Sequence, residues 1–501
     1  MGAGLAEARV ARIIGPGERI HVVGIAGAGA SAAGLLAARA GATVSGCDAG
    51  GPSPYTVALE AAGITMSWAH DAGHVTEDPP PARLAVTKAL TAIDPDHPEL
   101  RAARAAGIPV ESWQQVIADA AVGRRLIGVA GTHGKSTTAG WLVHVLVSAG
   151  LDPCAFVGAL LPPAMTDGPA GTARWGGGTD FVVEADEYAG NFDAYRPDIA
   201  ILTSAEWDHP DVFPDAMAVA DAFESWLSRV PAGAILVANA AEGGVNVVLR
   251  HLSGRPLTIV RYALLDDESD AAARDAEISG RIVGAHPDGT TLEIRGLAPG
   301  ARDEPMTVRL ATAGRYNAAN ALAVAGAARA AGLDAAAIAR GLASFTGVGR
   351  RLERKGEAAG VVVYDDYAHH PTAIRETLRA VRQREPERRV WAVYEPLTYH
   401  RTAALLDDFA GALAEADAAV VADIWAGRDP DTTIASAQGL ADAVTVRRPD
   451  IVVAAPGSVE DTAVWLSHKV RPGDAVLVMG GGRSYRIAEL LLEALAAGAA
   501  R

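Results

Sequence analysis

The sequence predicts an α/β protein of three domains. Its 501 residues correspond to about three domains of ~150 residues each. Short apolar runs of strand length alternate with helical patterns, which predicts mostly parallel sheets with right-handed crossovers. Glycine-rich turns also follow two of these apolar runs and precede helical patterns. Such turns are typical of α/β domains that bind nucleotides.

The composition excludes several classes of protein. Lys and Arg number 44 and Asp and Glu number 60, and a net charge of −16 argues against a nucleic-acid-binding surface. The two cysteines, Cys47 and Cys154, are too few for a disulfide scaffold or a four-thiolate zinc site and fit a reducing cytosol. The N-terminal segment lacks the pattern of a signal peptide, and no long apolar stretch is free of charges. We therefore expect a cytoplasmic protein without membrane insertion.

The first predicted domain covers residues 1–124 and is Rossmann-like. The apolar run 21–25 predicts a buried parallel strand, the small residues 30–40 predict a helix, and 43–46 predict a second strand. We place the domain boundary before Arg125, ahead of the next apolar run.

A glycine-rich turn in this domain predicts a phosphate-binding loop. Residues 27–32 fit the G-x-G-x-x-G/A fingerprint, with Asp48 about 20 residues further on. Gly27 and Gly29 would let the backbone approach a pyrophosphate, and Asp48 would accept hydrogen bonds from a ribose. A nicotinamide cofactor, a nucleotide-sugar diphosphate and a tight turn without a ligand all remain open here.

The second predicted domain covers residues 125–345. It is a P-loop ATPase-type α/β domain with a mostly parallel sheet and a few antiparallel strands. The predicted elements are strands at 126–130, 180–184 and 199–203, antiparallel strands within 257–310, and helices at 135–149 and 317–331.

The third predicted domain covers residues 346–501 and is again Rossmann-like. A Gly/Arg linker, 346–351, separates it from the second domain. Helical segments alternate with five apolar runs, at 361–364, 390–394, 419–422, 451–454 and 475–479.

A second glycine-rich turn, residues 128–138, predicts a phosphate loop that binds ATP. It follows a strand and opens a helix, so that backbone N–H groups and the helix dipole face the phosphates. Lys135 would contact the β- and γ-phosphates, and the Ser136 hydroxyl would bind Mg²⁺. Five residues separate Gly128 from Gly134, one more than in the common Walker pattern. The other loop residues expected to contact the nucleotide are Gly131, Thr132, His133, Gly134 and Thr137.

Two later strands of this domain end in candidate metal ligands. Glu184 ends the run 182–184, and His209 follows the run 199–203. Ligands bind at the carboxyl ends of strands in open α/β sheets, so Glu184 is placed to hold Mg²⁺ near the γ-phosphate. A lone histidine is more often a packing residue, but a neighbouring phosphate loop favours His209 as a ligand.

Taken together, these motifs resemble the Mur ligase family, ADP-forming ligases of peptidoglycan synthesis. The resemblance covers nearly the whole chain and is most specific in the phosphate loop, in Asp-Asp-Tyr-x-His-His-Pro and in Tyr-x-Arg-Thr. It is carried by residues 21–29, 45–48, 131–138, 184–187, 314–320, 347–351, 365–372 and 398–402.

The resemblance implies roles for particular residues. The turn at Gly27 and Gly29, with Asp48 nearby, would bind the UDP part of the substrate. Ser136, Glu184 and His209 would hold metal ions, and Asn317 and Asn320 would contact adenine. The third domain would contribute Arg351 and Asp366 to the nucleotide, and Tyr367, His370 and Arg401 to the acceptor and the sugar carboxylate. The implied catalytic set is Lys135, Glu184, His209, His370 and Arg401.

The expected reaction joins L-alanine to the carboxylate of UDP-N-acetylmuramate through an acyl phosphate formed with ATP. The amine proton would pass to His370 or a nearby carboxylate, although His370 also fits a helix start before Pro371. The alternative is a recycling ligase that attaches L-alanyl-γ-D-glutamyl-meso-diaminopimelate, because Tyr188 and residues 206–215 resemble that enzyme. Leu397 departs from the histidine usual in the L-alanine branch. We expect a monomer or a homodimer.

Two other classes of protein explain less of the sequence. An NAD-dependent dehydrogenase would use Gly27, Gly29 and Asp48 but leave the phosphate loop without a role. A P-loop switch or motor protein would not explain Arg351 and Asp366.

Overall fold

The structure is a computed structural model, and it describes residues 4–166, 168–266, 276–298, 304–427, 429 and 431–499. Within these ranges the strands form three sheets, of five, ten and six strands. The predicted fold class, three α/β units with mostly parallel sheets, is confirmed. Among the described residues, every helix is too short or too polar to span a lipid bilayer.

The N-terminal sheet is parallel and has the strand order β3-β2-β1-β4-β5, which matches five strands of the doubly wound order 3-2-1-4-5-6. Its strands are β1 (Arg19–Val23), β2 (Thr43–Cys47), β3 (Thr65–Ser67), β4 (Arg83–Val86) and β5 (Val110–Ser112). The helices around it are α1 (Ala28–Arg39), α2 (Val57–Ala61), α3 (Gly73–Thr76), α4 (Lys88–Ile93), α5 (Pro98–Ala106) and α6 (Trp113–Ala120).

The central sheet has the order β15-β14-β13-β12-β11-β10-β6-β9-β7-β8. Its strands are β6 (Arg125–Ala130), β7 (Cys154–Leu161), β8 (Gly171–Arg174), β9 (Asp180–Glu184), β10 (Ile199–Leu202), β11 (Ile235–Asn239), β12 (Thr258–Leu265), β13 (Ile278–His286), β14 (Gly289–Arg295) and β15 (Met306–Leu310). Its helices are α7 (Lys135–Ser148), α8 (Pro163–Thr166), α9 (Ala216–Leu227), α10 (Gly243–His251), α11 (Arg315–Ala330) and α12 (Ala335–Ser344), with a 3-10 helix at Tyr188–Ala194.

The region predicted to hold antiparallel strands, 257–310, is mixed. β12 pairs in parallel with both β11 and β13, and only β13, β14 and β15 pair antiparallel to one another. The expected antiparallel strands are therefore present in this region, in the pairs β13–β14 and β14–β15. Residues 267–275 and 299–303 of this region lie outside the described residues.

The C-terminal sheet has the order β16-β17-β21-β18-β19-β20, with β16 antiparallel at one edge. Its strands are β16 (Glu353–Ala358), β17 (Val361–Asp366), β18 (Arg389–Glu395), β19 (Ala418–Ala422), β20 (Val452–Gly457) and β21 (Asp474–Gly480). Its helices are α13 (Pro371–Arg384), α14 (Tyr399–Ala404), α15 (Leu406–Leu413), α16 (Ala437–Arg447), α17 (Val459–Ser467) and α18 (Tyr485–Ala499).

The N-terminal and central units share one apolar core. Its buried members include Ile14 and Leu36 of the N-terminal unit and Phe156 and Trp226 of the central unit. Polar contacts add to this interface, because the Thr172 hydroxyl donates to the Ala28 carbonyl at 2.8 Å. The start of α1, where the first glycine turn lies, is thereby fixed against the central sheet.

Candidate active site

A cavity of about 920 Å³ lies where the three units meet, and it is lined by residues of all three. Most of the residues singled out in the sequence line it. These are Gly29, Thr132, His133, Gly134, Lys135, Ser136, Thr137, Glu184, His209, Asn317, Asn320, Arg351, Asp366, Tyr367, His370 and Arg401. Gly27, Asp48 and Gly131 are not among the lining residues.

The phosphate loop connects β6 to α7 and needs glycine at two positions. Gly131 and Gly134 have φ values of +131° and +80°, a region that side chains with a Cβ rarely adopt. A Cβ on Gly134 would also lie 2.6 Å from Oδ1 of Asn320 on α11. The loop therefore runs against α11, and the N-terminus of α7 points its free N–H groups into the cavity.

Lys135 lies in the loop among oxygen atoms. Its Nζ donates to the Gly131 carbonyl and to Oε2 of Glu187, each at 2.8 Å, and lies 3.5 Å from Oδ1 of Asp186. Burial lowers the pKa of Lys135 and the two carboxylates raise it, and the carboxylates prevail. Burial, with repulsion from Asp186, raises the pKa of Glu187 to about 7 against the attraction of Lys135. The ammonium is thus charged and held where a nucleotide phosphate would compete for it.

Ser136 and Glu184 form a pair of hard oxygen donors beside the loop. The Ser136 hydroxyl donates to Oε1 of Glu184 at 3.0 Å, and the Gly158 N–H donates to Oε2 at 2.7 Å. A hydroxyl and a carboxylate are ligands that suit Mg²⁺. Arg351 of the C-terminal unit reaches the same point, because its Nη2 donates to Ser136 Oγ at 2.8 Å.

His209 lies apart from that pair, in a cluster with Asp186 and Glu187 whose potential ligand atoms lie within 4.8 Å of one another. Its Nδ1 accepts a hydrogen bond from Nη2 of Arg401 at 2.9 Å. Burial lowers the pKa of His209 to about 4, so the ring is neutral at pH 7. A neutral ring that accepts at Nδ1 carries its proton on Nε2, and the tautomer would have to change before Nε2 could bind a metal.

His370 is the N-cap residue of α13. Its Nδ1 accepts from the Thr372 N–H at 3.3 Å, and its Nε2 lies 3.2 Å from the Trp207 carbonyl. Burial, with the charge of nearby His133, lowers the pKa of His370 to about 4. The neutral ring donates from Nε2 and accepts at Nδ1, so no lone pair is free for a substrate proton. Of the two predicted roles, this geometry matches the helix start and not the base.

Two acidic residues that the sequence did not single out join the central and C-terminal units. Oε2 of Glu206 bonds to His133 Nε2 at 2.8 Å, while its Oε1 accepts from the Thr372 hydroxyl at 2.7 Å. Oδ1 of Asp208 accepts from Nε of Arg401, also at 2.8 Å. Burial raises the pKa of Asp208, but Arg401 outweighs it and holds that pKa well below its usual range. Their position beside His209 was the only available signal, because sequence does not show which cation meets which carboxylate.

Arg351, Asp366 and Tyr367 enter the cavity from the linker and from β17. The Arg351 guanidinium lies 4.9 Å from the centre of the Tyr367 ring. Asp366 accepts from the backbone N–H groups of Leu352 and Ala368, at 2.6 and 2.7 Å. Asp366 therefore ties the linker to the loop that carries Tyr367.

On α11, two asparagines lie behind the phosphate loop. The Asn317 amide donates to the Ala313 carbonyl at 2.7 Å, and the Asn320 amide lies 3.4 Å from Oδ1 of Asn317. Both side chains line the cavity. The contact with adenine stays a prediction.

At the first glycine turn, the geometry gives each predicted residue a structural task. Asp48 accepts from the Ala26 N–H at 3.1 Å and the Gly50 N–H at 2.8 Å. Gly29 packs under the Trp113 ring, where a Cβ would lie 2.3 Å from the nearest ring atom. Their contact with a UDP group stays a prediction.

Comparison with known protein families finds matches in all three units of the chain. Residues 19–125 match the Mur ligase family catalytic domain, 129–328 the Mur ligase middle domain, and 350–482 the Mur ligase glutamate ligase domain. The chain belongs to the Mur ligase family. The resemblance read from the motifs is thus confirmed.

Individual Mur ligases show how close the likeness is. The UDP-N-acetylmuramate–L-alanine ligase of Frankia casuarinae is 37% identical, over 96% of this chain and 99% of that protein. The structure of the UDP-N-acetylmuramate–alanine ligase of Thermotoga maritima has a TM-score of 0.76 at 23% identity and covers 96% of this chain and 100% of that one. A murein peptide ligase from Psychrobacter arcticus has a TM-score of 0.70 at 26% identity, with 96% and 99% covered.

Proposed function

We propose that this Mur ligase is an ADP-forming ligase that joins L-alanine to the carboxylate of UDP-N-acetylmuramate, a cytoplasmic step of peptidoglycan synthesis. The observation that carries the proposal is the near full-length identity of 37% to a relative with that activity in its name. The cavity adds physical support, because it combines the phosphate loop of the central unit with arginine side chains of the C-terminal unit.

We assign ATP to the phosphate loop. The N–H groups at the start of α7 and the Lys135 ammonium supply positive charge to the transferred phosphoryl group. On binding, the γ-phosphate replaces Glu187 as the partner of Lys135. Ser136 and Glu184 fit Mg²⁺ by the chemistry of their oxygens, and the ion would neutralise phosphate charge there. His209 joins such a site only in its other tautomer.

The chemistry needs activation because a carboxylate has a poor leaving group. The carboxylate oxygen of UDP-N-acetylmuramate attacks the γ-phosphorus, the bond to the β-phosphate oxygen breaks, and ADP leaves. The neutral amine of the amino acid then attacks the acyl phosphate, and the tetrahedral intermediate expels inorganic phosphate. Arg401, 3% exposed, lies where the acceptor is expected and would attract its carboxylate. Exclusion of water by the closed cavity protects the acyl phosphate.

We give His370 a positioning role and the amine proton to a carboxylate. His370 caps α13 and, through the Trp207 carbonyl, holds the segment that presents Asp208 and His209. Glu187 is a carboxylate near the phosphate loop whose pKa, raised by burial to about 7, suits a general base at neutral pH.

We further propose a division of labour between the units. Residues 1–124 bind the UDP sugar, residues 125–345 bind ATP, and residues 346–501 close on ATP and bind the amino acid. These boundaries remain predictions, as does a monomeric or homodimeric state.

The recycling ligase remains the second candidate, on the likeness to the murein peptide ligase and on Leu397. Leu397 lines the cavity together with Trp425, so this apolar wall faces the acceptor in either enzyme. We retain L-alanine as the first choice of acceptor because the relative that is 37% identical over nearly the full length carries that amino acid in its name.

A phosphate-release assay distinguishes the L-alanine ligase from the recycling ligase. The protein is mixed with ATP, UDP-N-acetylmuramate, Mg²⁺ and one acceptor: L-alanine, glycine, L-serine or L-alanyl-γ-D-glutamyl-meso-diaminopimelate. We expect turnover with L-alanine, less with glycine and serine, and none with the tripeptide. Turnover with the tripeptide alone would establish the recycling ligase instead.

A further inference from the structure

A cluster of metal-binding side chains lies in the N-terminal unit, among residues that the proposed reaction does not use. His21 lies on β1, Cys47 ends β2, His74 is on α3 and Glu99 is in the first turn of α5. His21 is 2% exposed, and Cys47 and Glu99 are fully buried. Their potential ligand atoms all lie within 4.8 Å of one another.

The separations between these atoms match the edges of a coordination tetrahedron. With metal–ligand bonds of about 2.0–2.3 Å, the ligand atoms of a zinc site lie about 3.3–3.8 Å apart. Here Cys47 Sγ lies 3.4 Å from His21 Nε2 and 3.1 Å from Glu99 Oε1. His21 Nε2 lies 3.5 Å from Glu99 Oε2, and the shortest edge, His74 Nδ1 to Glu99 Oε1, is 2.9 Å. The two remaining separations, from His74 to Cys47 and to His21, lie within 4.8 Å, so an ion at the centre would draw His74 towards the other ligands.

The ligand set would also match a divalent cation in charge. Glu99 is a fully buried carboxylate, and in the described ranges the ion pairs recorded for it involve only the histidines His21, His70 and His74. Without an ion, the Cys47 thiol donates to Glu99. A bound metal would displace the thiol proton, and the resulting thiolate and the Glu99 carboxylate would together balance a divalent cation.

Residues outside the cluster contact its side chains, as the hydrogen-bond partners of metal ligands commonly do. The Ser45 hydroxyl lies 2.9 Å from Nδ1 of His21, which leaves Nε2 directed at Cys47 and Glu99. His70 lies with Nδ1 3.2 Å from Cys47 Sγ. Behind His70, the His97 ring is 2% exposed, and neither of its nitrogens has a hydrogen-bond partner.

We propose that His21, Cys47, His74 and Glu99 bind one zinc ion. Four protein ligands around a buried point make a closed site, so its role is structural. Zinc would fasten the short helix α3 and the start of α5 to the middle of β1 and the end of β2. Cys47 directly precedes Asp48, and its carbonyl accepts from the Gly24 N–H at 2.8 Å. The ion therefore also stiffens the first glycine turn.

X-ray absorption at the zinc edge tests the site in the unaltered full-length chain. The protein is stripped with a chelator, reloaded with zinc and desalted. We expect one zinc per chain, with one sulfur and three nitrogen or oxygen neighbours. The other clusters of potential ligands among the described residues, at His133, Glu206 and His370 and at Asp186, Glu187 and His209, contain no cysteine. A sulfur neighbour therefore identifies the site, while zinc with only nitrogen and oxygen neighbours, or no stoichiometric zinc, would overturn the proposal.

Cobalt(II) with matched cysteine variants gives a second measurement. Cys154→Ser removes the other buried cysteine, whose Sγ contacts the Gly176 backbone, and should keep the thiolate–cobalt absorption of the unaltered protein. Cys47→Ser should lose that absorption and bind cobalt at least about 100-fold more weakly. Glu99→Gln should retain the thiolate absorption with weakened affinity. Equal spectra for Cys47→Ser and Cys154→Ser would contradict the assignment.

Discussion

At the scale of single residues, Lys135 is the side chain on which the proposed phosphoryl transfer depends most. Its ammonium is charged and pairs with Glu187 in the absence of nucleotide. Lys135→Ala should lower the rate of ADP release that depends on UDP-N-acetylmuramate by about 10²–10³-fold or more, because one charge that stabilises the transition state is lost. Lys469→Ala, at an exposed lysine over the Trp465 ring, should leave that rate unchanged. A coupled-enzyme assay of ADP release measures both variants. If Lys135→Ala keeps the activity of the unaltered protein, Lys135 does not stabilise the transferred phosphoryl group.

His370 makes stability depend on pH. Burial lowers its pKa to about 4, whereas a histidine in the unfolded chain titrates near about 6.5. Between these values the unfolded state binds more protons, so the free energy of unfolding falls as the pH drops from about 6.5 to 4. At pH 5 the contribution is on the order of 2 kcal/mol.

His370→Asn should reduce the loss of unfolding free energy at low pH, because asparagine can cap α13 without titrating. Urea unfolding at pH 7 and pH 5, followed by tryptophan fluorescence, measures the difference. His468→Asn, at an exposed histidine, should keep the pH dependence of the unaltered protein. An identical loss of stability between the two pH values in His370→Asn would contradict the assignment.

At the scale of elements, the phosphate loop and α11 depend on each other through Gly134. Gly134→Ala would force a residue with a Cβ to φ +80° and bring that carbon to 2.6 Å from Asn320. The strain of about 1–2 kcal/mol and the contact should displace the loop and weaken ATP binding at least about tenfold. Gly150→Ala is the matched control, since Gly150 has φ +78° but open space around its added Cβ. Calorimetric titration should find ATP affinity lost in the first variant and kept in the second.

The elements show how far sequence reasoning reaches. Buried parallel strands such as β9 and β10 were predicted almost to the residue, because both faces are apolar and the run is continuous. The edge strand β16, Glu-Arg-Lys-Gly-Glu-Ala, was missed, since an edge strand at the surface has no apolar run. In the site, the loop residues were predicted from local motifs. The pairing of Asp208 with Arg401 joins residues 193 positions apart, and no local pattern contains it.

At the scale of the whole molecule, polar contacts join the units around the site, in addition to the apolar core that the N-terminal and central units share. Lys88 of the N-terminal unit donates to the carbonyls of Ala189 and Gly190, at 2.8 and 2.7 Å. On the other side, Gln383 of α13 donates to the Gly289 carbonyl at 2.9 Å. A polar interface such as the one between the central and C-terminal units costs little free energy to open, which suits an enzyme that must admit three substrates and then exclude water.

The buried ion pair between Asp208 and Arg401 should control this closure. Both side chains are about 5% exposed or less, so removing one partner leaves the other buried without compensation, at a cost of about 3–5 kcal/mol to the closed arrangement. In Arg401→Met, opening lets water reach Asp208, and we expect a larger radius of gyration by small-angle X-ray scattering. Arg447→Met, at the exposed pair with Asp407, should not change it. Adding Asp208→Asn to Arg401→Met removes the uncompensated charge and should restore part of the compactness. If Arg401→Met stays as compact as the unaltered chain, this pair does not hold the C-terminal unit closed.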